Sequence, residues 1–152
     1  MLAYAGTGKS YLASKYENVI DLDSGDFKWL GKRKDIPYYE RPQNPEFPQN
    51  YLSAVFNLLE TTDKIILVSS HRQDIMEAIS VLSPLFVYPQ RDLLDEYVER
   101  WQKRGNSKEF IQARIAEFYT ILDRAEIFTN VEKIYLTSGE YLEDVLIRKG
   151  WI

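Results

Sequence analysis

Residues 3–16 read "AYAGTGKSYLASKY". The fold turns on whether this stretch cradles a phosphate or only leads the chain into a helix. Ala3 stands five residues before Gly8-Lys9-Ser10. That is the P-loop spacing, in which glycine or, less often, alanine and four further residues precede Gly-Lys-Ser/Thr. Gly6 and Gly8 permit a tight turn whose inward amide N–H groups, across Thr7, form a nest for phosphate oxygens. A helix starting near Gly8 adds the positive end of its dipole. Lys9 can reach the β and γ phosphates and Ser10 can ligate Mg²⁺, with Tyr11 next along the same turn. The plainer reading is a glycine turn before a helix. The order strand, loop, helix is the one the phosphate chemistry needs. Only Met1-Leu2 precede Ala3, against about 5–6 residues in a typical strand. The strand carrying the loop is therefore expected to be short, and the domain less stable for it.

Beyond this loop, short apolar runs alternate with helical patterns. "NVIDLD" (18–23), "KIILVSS" (64–70), "PLFVY" (84–88) and "KIYLTS" (133–138) are rich in β-branched and aromatic residues and read as buried strands. Helices are expected over 8–16, 49–61, 71–82, 91–104, 107–125 and 139–149. Such alternation implies an α/β fold, a parallel sheet with helices on both faces. Residues 31–48, "GKRKDIPYYERPQNPEFP", hold four of the six prolines and read as an ordered loop. In "GNSKE" (105–109), Gly105 can end one helix. Asn106 with Glu109 has capping-box spacing to begin the next, which gives a hinge.

Bulk properties narrow the classes. A chain of 152 residues suits one domain, taken here as 1–152. A net charge of −4 argues against a broad basic face for nucleic acid. With no cysteine and a single histidine, His71, disulfides, thiolate catalysis and multi-histidine metal sites are excluded. No apolar run approaches the roughly 20 residues of a membrane span. The start lacks a basic segment followed by an apolar stretch, so the expected compartment is the cytoplasm.

Other charged residues could gather at the loop. In "DLDSGD" (21–26), Asp21 and Asp23 are two apart on a strand and face the same way. One could organise Mg²⁺ and the other could bind a substrate hydroxyl; Asp23 could equally cap a helix with Asp26 at its N3 position. Arg100 and Arg104 lie one helical turn apart, and Arg114 sits on the next helix. Folding the hinge could bring Arg104 and Arg114 over the loop, where phosphoryl transfer needs positive charge. Solvated i,i+4 pairs such as Glu96 with Arg100 are the plainer account.

With these residues in view, the chain resembles the nucleoside monophosphate kinase-like branch of P-loop kinases. "YVERWQKRGNSKEFIQAR" is similar to the lid of guanylate kinases, although the Arg104-to-Arg114 spacing is one residue shorter. "DLD" resembles the paired aspartates of shikimate and dephospho-coenzyme A kinases. "SSHR" and "SGEYLEDVL" resemble small adenylate kinase-like proteins. The resemblance implies a three-layer fold with a five-stranded parallel sheet of order 2-3-1-4-5. It also implies an acceptor-binding insert near 25–60 and a lid near 104–115, both mobile. ATP and Mg²⁺ would be the cofactors and a nucleotide or other small molecule the acceptor, in a monomer or homodimer. Arg72 would hold the acceptor phosphate; His71 beside it could bond a phosphate or Ser69, or be a satisfied structural histidine. Asp23, Arg41 and Arg100 join Arg72 as candidate acceptor contacts. Lys28, Trp29, Arg33, Tyr38 and Tyr39 offer further cations and rings in the insert. Ser138 and Gly139 would wrap the adenine edge, or else cap the helix that follows. The chain departs from the adenylate kinase pattern in lacking D-G-x-P-R, with Ser69-Ser70 where an acid is usual. A small-molecule hydroxyl kinase and a nucleotide-binding regulatory protein without catalysis are the two alternatives.

Overall fold

The computed structural model describes residues 1–31, 36–37 and 40–152. Five strands form one all-parallel sheet in the order β2-β3-β1-β4-β5, as the resemblance implied. The strands are β1 (Leu2–Ala3), β2 (Val19–Leu22), β3 (Ile65–Val68), β4 (Leu85–Pro89) and β5 (Glu132–Leu136). The helices are α1 (Lys9–Lys15), α2 (Gly25–Lys28), α3 (Gln49–Thr61), α4 (Gln73–Ser80), α5 (Leu94–Lys103), α6 (Lys108–Ile127) and α7 (Leu142–Lys149). Among the described residues no helix is long and apolar enough to cross a membrane.

The central strand is as short as expected, and its two residues serve both faces. Leu2 packs in a core with Tyr4, Phe86, Tyr97, Trp101 and Phe118. Ala3 packs in the opposite core with Leu12, Leu67, Val87 and Leu142. This is the period-two alternation of a strand. The ladder holds Leu2 between Val68 and Phe86, and Tyr4 N–H extends it to the carbonyl of Val87 at 3.0 Å.

Several helix boundaries differ from the sequence expectation for local reasons. Helix α4 begins at Gln73 rather than residue 71, because Arg72 stays extended at φ −64°, ψ 138°. That leaves Ser69 to Arg72 as a loop at the sheet edge. The hinge after α5 is also wired differently. Gly105, at φ +80°, donates to Gln102, and Asn106 donates to the Trp101 carbonyl. This pair is a Schellman end. Asn106 is therefore the last residue of that stop signal, and Ser107 caps α6 instead, accepting from Phe110 N–H at 3.2 Å. The expected Asn106–Glu109 box does not form. Helix α7 starts at Leu142, not 139: Asp144 Oδ2 accepts from Tyr141 N–H, and Glu140 Oε2 accepts from Thr137 N–H. Glu140 and Asp144 thus do the work assigned to residues 137–139.

Candidate functional site

Loops at the C-terminal ends of β1, β2 and β3 open onto a cleft of about 1190 Å³, the usual ligand position in an open parallel sheet. Its floor is the glycine loop. Gly6 and Gly8 have φ of +92° and +96°, a region glycine enters freely. At Gly6 space also decides: a Cβ would lie 2.9 Å from Trp101 Nε1, whose N–H donates to the Ala5 carbonyl at 3.2 Å. The aromatic core thus presses directly on the underside of the loop. The Thr7 side chain is buried and donates to the Tyr4 carbonyl, so only its backbone is available to a ligand.

Lys9 Nζ folds back onto the carbonyls of Ala3 and Tyr4 at 3.0 and 2.9 Å. Its pKa is lowered to about 8, chiefly by burial, with Asp21 and Asp23 opposing the shift and Arg104 adding slightly to it. Ser10 Oγ donates to Asp21 Oδ2 at 2.7 Å, and Asp21 Oδ1 is buried without a partner. The predicted Ser10–Asp21 meeting is therefore present. Asp23 lines the cleft and accepts from Gly25 N–H at 2.9 Å, but the N-cap position of α2 is Ser24 rather than Asp23. Tyr11 is exposed at the rim.

Where an acid was missing, the structure supplies a structural reason. Ser69 Oγ accepts from Ser24 N–H at 2.9 Å, and Ser69 N–H donates to Tyr51 Oη. Tyr51 in turn donates to the Leu22 carbonyl at 2.8 Å. Ser69 thus ties the end of β3 to the start of the insert. His71 does not bond Ser69. Its Nδ1 meets Tyr88 Oη at 3.2 Å, and burial with Lys9, Arg114 and Arg124 nearby holds its pKa well below the usual histidine value.

Arg104 and Arg114 both line the cleft. Arg104 acts electrically on Lys9, and Arg114 on Lys28 and on His71, which Lys9 also faces. Arg114 also pairs with Glu117 at 2.7 Å. Arg72 lines the cleft with its guanidinium doubly bonded to Asp74, 5.1 Å from the Phe47 ring. Arg41 donates to the Ile36 carbonyl at 2.8 Å. Lys28 and Trp29 line the same end. Arg33, Tyr38 and Tyr39 lie outside the described residues.

Arg100 is placed otherwise than as an acceptor contact. Its side chain is only 8% exposed, between the rings of Tyr97 and Tyr141. It donates to the Gly6 carbonyl at 3.3 Å, the Glu140 carbonyl at 2.9 Å and Glu96 at 2.5 Å. It therefore clasps the glycine loop to the loop after β5. Glu96, which the sequence offered only as a helix-surface partner, accepts from Ser138 Oγ and Gly139 N–H at 2.8 and 3.0 Å. Arg124 was not singled out either: on α6 it donates to the His71 carbonyl at 2.6 Å. The i,i+4 spacing offered the Glu96–Arg100 pair, and it forms, but nothing local predicts a partner 40 to 94 positions away.

The sheet order and the helices on both faces define a three-layer α/β protein, with a lysine held in a glycine loop at the strand ends. No protein-family model matches the sequence, and no curated protein does. A solved structure, the Deinococcus radiodurans tunicamycin resistance protein, superposes with a TM-score of 0.57 at 15% identity. The match covers 99% of this chain and 94% of that one, and the two share this fold.

Proposed function

We propose that this chain is an ATP- and Mg²⁺-dependent phosphotransferase that moves the γ-phosphoryl group to a nucleoside monophosphate or similar small phosphorylated acceptor. The observation that carries the reading is Lys9, its amine held within the glycine loop while Ser10 and Asp21 meet beside it in a cleft that also holds Arg104 and Arg114. In this reading the amides of residues 6–10 and Lys9 hold the donor phosphates. Ser10 and Asp21 suit Mg²⁺, since hard oxygen ligands are present and Asp21 Oδ1 has no other partner. Among the described residues no cluster of three or more acidic, histidine or cysteine ligands forms, so phosphate oxygens and water would complete the coordination. The metal would neutralise charge between the β and γ phosphates.

The protein's own groups do the rest. Lys9 leaves its carbonyl partners to meet phosphate oxygens. Arg104 lies nearest the donor end and adds charge to the moving phosphoryl group. Arg114 and Arg72 orient the acceptor, and residues 104–115 act as the lid that excludes water. Gly139 and Ser138 lie where the base would rest.

The test is a panel of acceptors with labelled ATP, spanning nucleoside monophosphates, hydroxylated metabolites and, after the structural neighbour's name, tunicamycin. Lys9→Ala abolishes turnover. Arg104→Ala lowers kcat by at least about 10³-fold while changing ATP affinity little. Equal losses in kcat and affinity would mean plain binding. A hydroxyl acceptor is the second reading, favoured by Asp21 and Asp23 lining one cleft. Nucleotide binding with no labelled product from any acceptor would favour a regulatory protein.

A further inference from the structure

Helices α5 and α6 share an outer face that the cleft does not use. On α6, Lys108, Gln112, Ile115 and Tyr119 follow one another at helical steps and so lie on one side. Ile115 and Tyr119 are 41% and 46% exposed, large apolar groups turned to solvent. Val98 on α5 and Ile111 on α6 are half-buried beside them, packed against the core. None of these residues lines the cleft, whose walls take Glu96, Arg100 and Lys103 from α5 and Arg114, Glu117 and Thr120 from α6. At one end Arg91 donates to Asp123 Oδ1 at 2.5 Å and lies 5.2 Å from the Tyr119 ring. At the hinge end the rings of Trp101 and Phe110 are 6.4 Å apart. The helices therefore run antiparallel, with the start of α5 beside Tyr119 and the start of α6 beside the end of α5.

The charges at the two ends of this apolar strip say what covers it. Asp92 and Asp95, at the start of α5, are exposed and pair with nothing among the described residues. Lys108, at the start of α6 and hence at the opposite end, is exposed and equally unpaired. Its position is also unfavourable by itself: a cation in the first turn of a helix opposes the dipole by about 0.3–1 kcal/mol. Glu109, the acid of that turn, points about 100° away around the axis. A face with acid at one end and base at the other is complementary to its own copy turned end for end. An unrelated partner has to match that order by design; a second copy matches it by symmetry.

We infer that the outer face of α5 and α6 docks a second copy of this chain, antiparallel about a two-fold axis. Ile115 and Tyr119 meet their counterparts at the centre, and Lys108 of each copy faces Asp95 of the other. Helix α6 has 20 residues and is about 30 Å long, and paired helices lie about 8–10 Å apart. The face is then on the order of 600 Å² per copy, or about 1,200 Å² in total, the lower end for specific association. The pair is accordingly reversible. It leaves the cleft-lining side chains uncovered, and it stands apart from the phosphotransferase reading.

Sedimentation equilibrium over about 1–500 µM protein is the test. The expected mass rises with concentration from 17.9 kDa towards twice that value. Ile115→Asp is expected to stay monomeric, with thermal unfolding unchanged because the side chain is exposed. Lys108→Asp and Asp95→Lys each put like charges together at both ends, and each weakens self-association by at least about tenfold. Mixed in equal amounts, these two variants recover the association, because each now offers the charge the other needs. Wild-type protein that is monomeric throughout overturns the inference. So does a dimer that survives Ile115→Asp, a mass that grows beyond two copies, or a pair of reversals that stay apart when mixed. Should Ile115→Asp unfold early, the mixing experiment decides alone.

Discussion

Raising the pH from 7 to 9 should weaken nucleotide binding about tenfold, through Lys9 alone. In the free protein Lys9 has a pKa of about 8, set by burial against the opposing pull of Asp21 and Asp23, with a smaller push from Arg104. Phosphate oxygens stabilise the ammonium, so binding lifts that pKa and takes up a proton. The protonated fraction of a group with pKa near 8 falls from roughly 90% at pH 7 to roughly 10% at pH 9, and affinity follows it. An ordinary lysine would lose only about 3% over the same range. Few other groups interfere. Burial lowers the Met1 amine to about 6, and it pushes Tyr4, Tyr51, Tyr88 and Tyr97 upward, beyond the window. Lys28 is also lowered, so Lys28→Gln is the control and should keep the same slope. Calorimetric titration of the Mg–ATP analogue in buffers of different ionisation enthalpy reads both affinity and proton uptake. The stability of the free protein runs the other way. A lowered lysine pKa means the unfolded chain binds more protons between about 8 and the usual lysine value, so this group's contribution to stability rises there with pH. Affinity constant from pH 7.5 to 9.5, with no proton uptake near pH 8.5, would refute the assignment of Lys9 as a phosphate ligand.

Further outcomes follow from the packing around the loop. Arg100→Met should cost about 1–3 kcal/mol, since it removes the bonds to Glu96 and to the Gly6 and Glu140 carbonyls while Glu96 keeps Ser138 and Gly139; thermal unfolding should show a drop of roughly 2–12 °C. Gly6→Ala meets both a positive φ and the Trp101 indole at 2.9 Å, so it should cost at least about 1–3 kcal/mol, with Trp fluorescence changing alongside. Tyr51→Phe removes the link between Leu22 and Ser69 and should cost about 1–3 kcal/mol in urea unfolding.

How far the sequence carried depends on range. Helix α3 falls where its apolar spacing put it, at 49–61; β2 and β3 lie within the apolar runs that announced them, and β4 and β5 overrun theirs by one residue, Pro89 and Glu132. These are local signals. Ser10 with Asp21 was also legible, because motif spacing and strand alternation both pointed into the cleft. What failed needed distant partners. Asn106 was spent on closing α5 onto Trp101, which no capping pattern reveals. His71 went to Tyr88 on the next strand rather than to the neighbouring Ser69. Arg100 keeps the i,i+4 pair with Glu96 that the sequence offered, but it is buried and adds a clasp whose other partners lie 94 positions before it and 40 after it. A buried guanidinium with several backbone acceptors is a product of the assembled core, and one helix's pattern does not encode it.

That clasp means the opening motif is not a portable cassette. Transplanting residues 3–16 onto another parallel sheet would carry the amides and the lysine but leave behind Trp101, which wedges the turn from below, and the guanidinium that grips Gly6. The recipient would own the letters of the motif without its curvature. Conversely, substitutions at Glu140 or Tyr141, remote in the chain from the glycine loop, should reshape the receptor at the other end of the sequence.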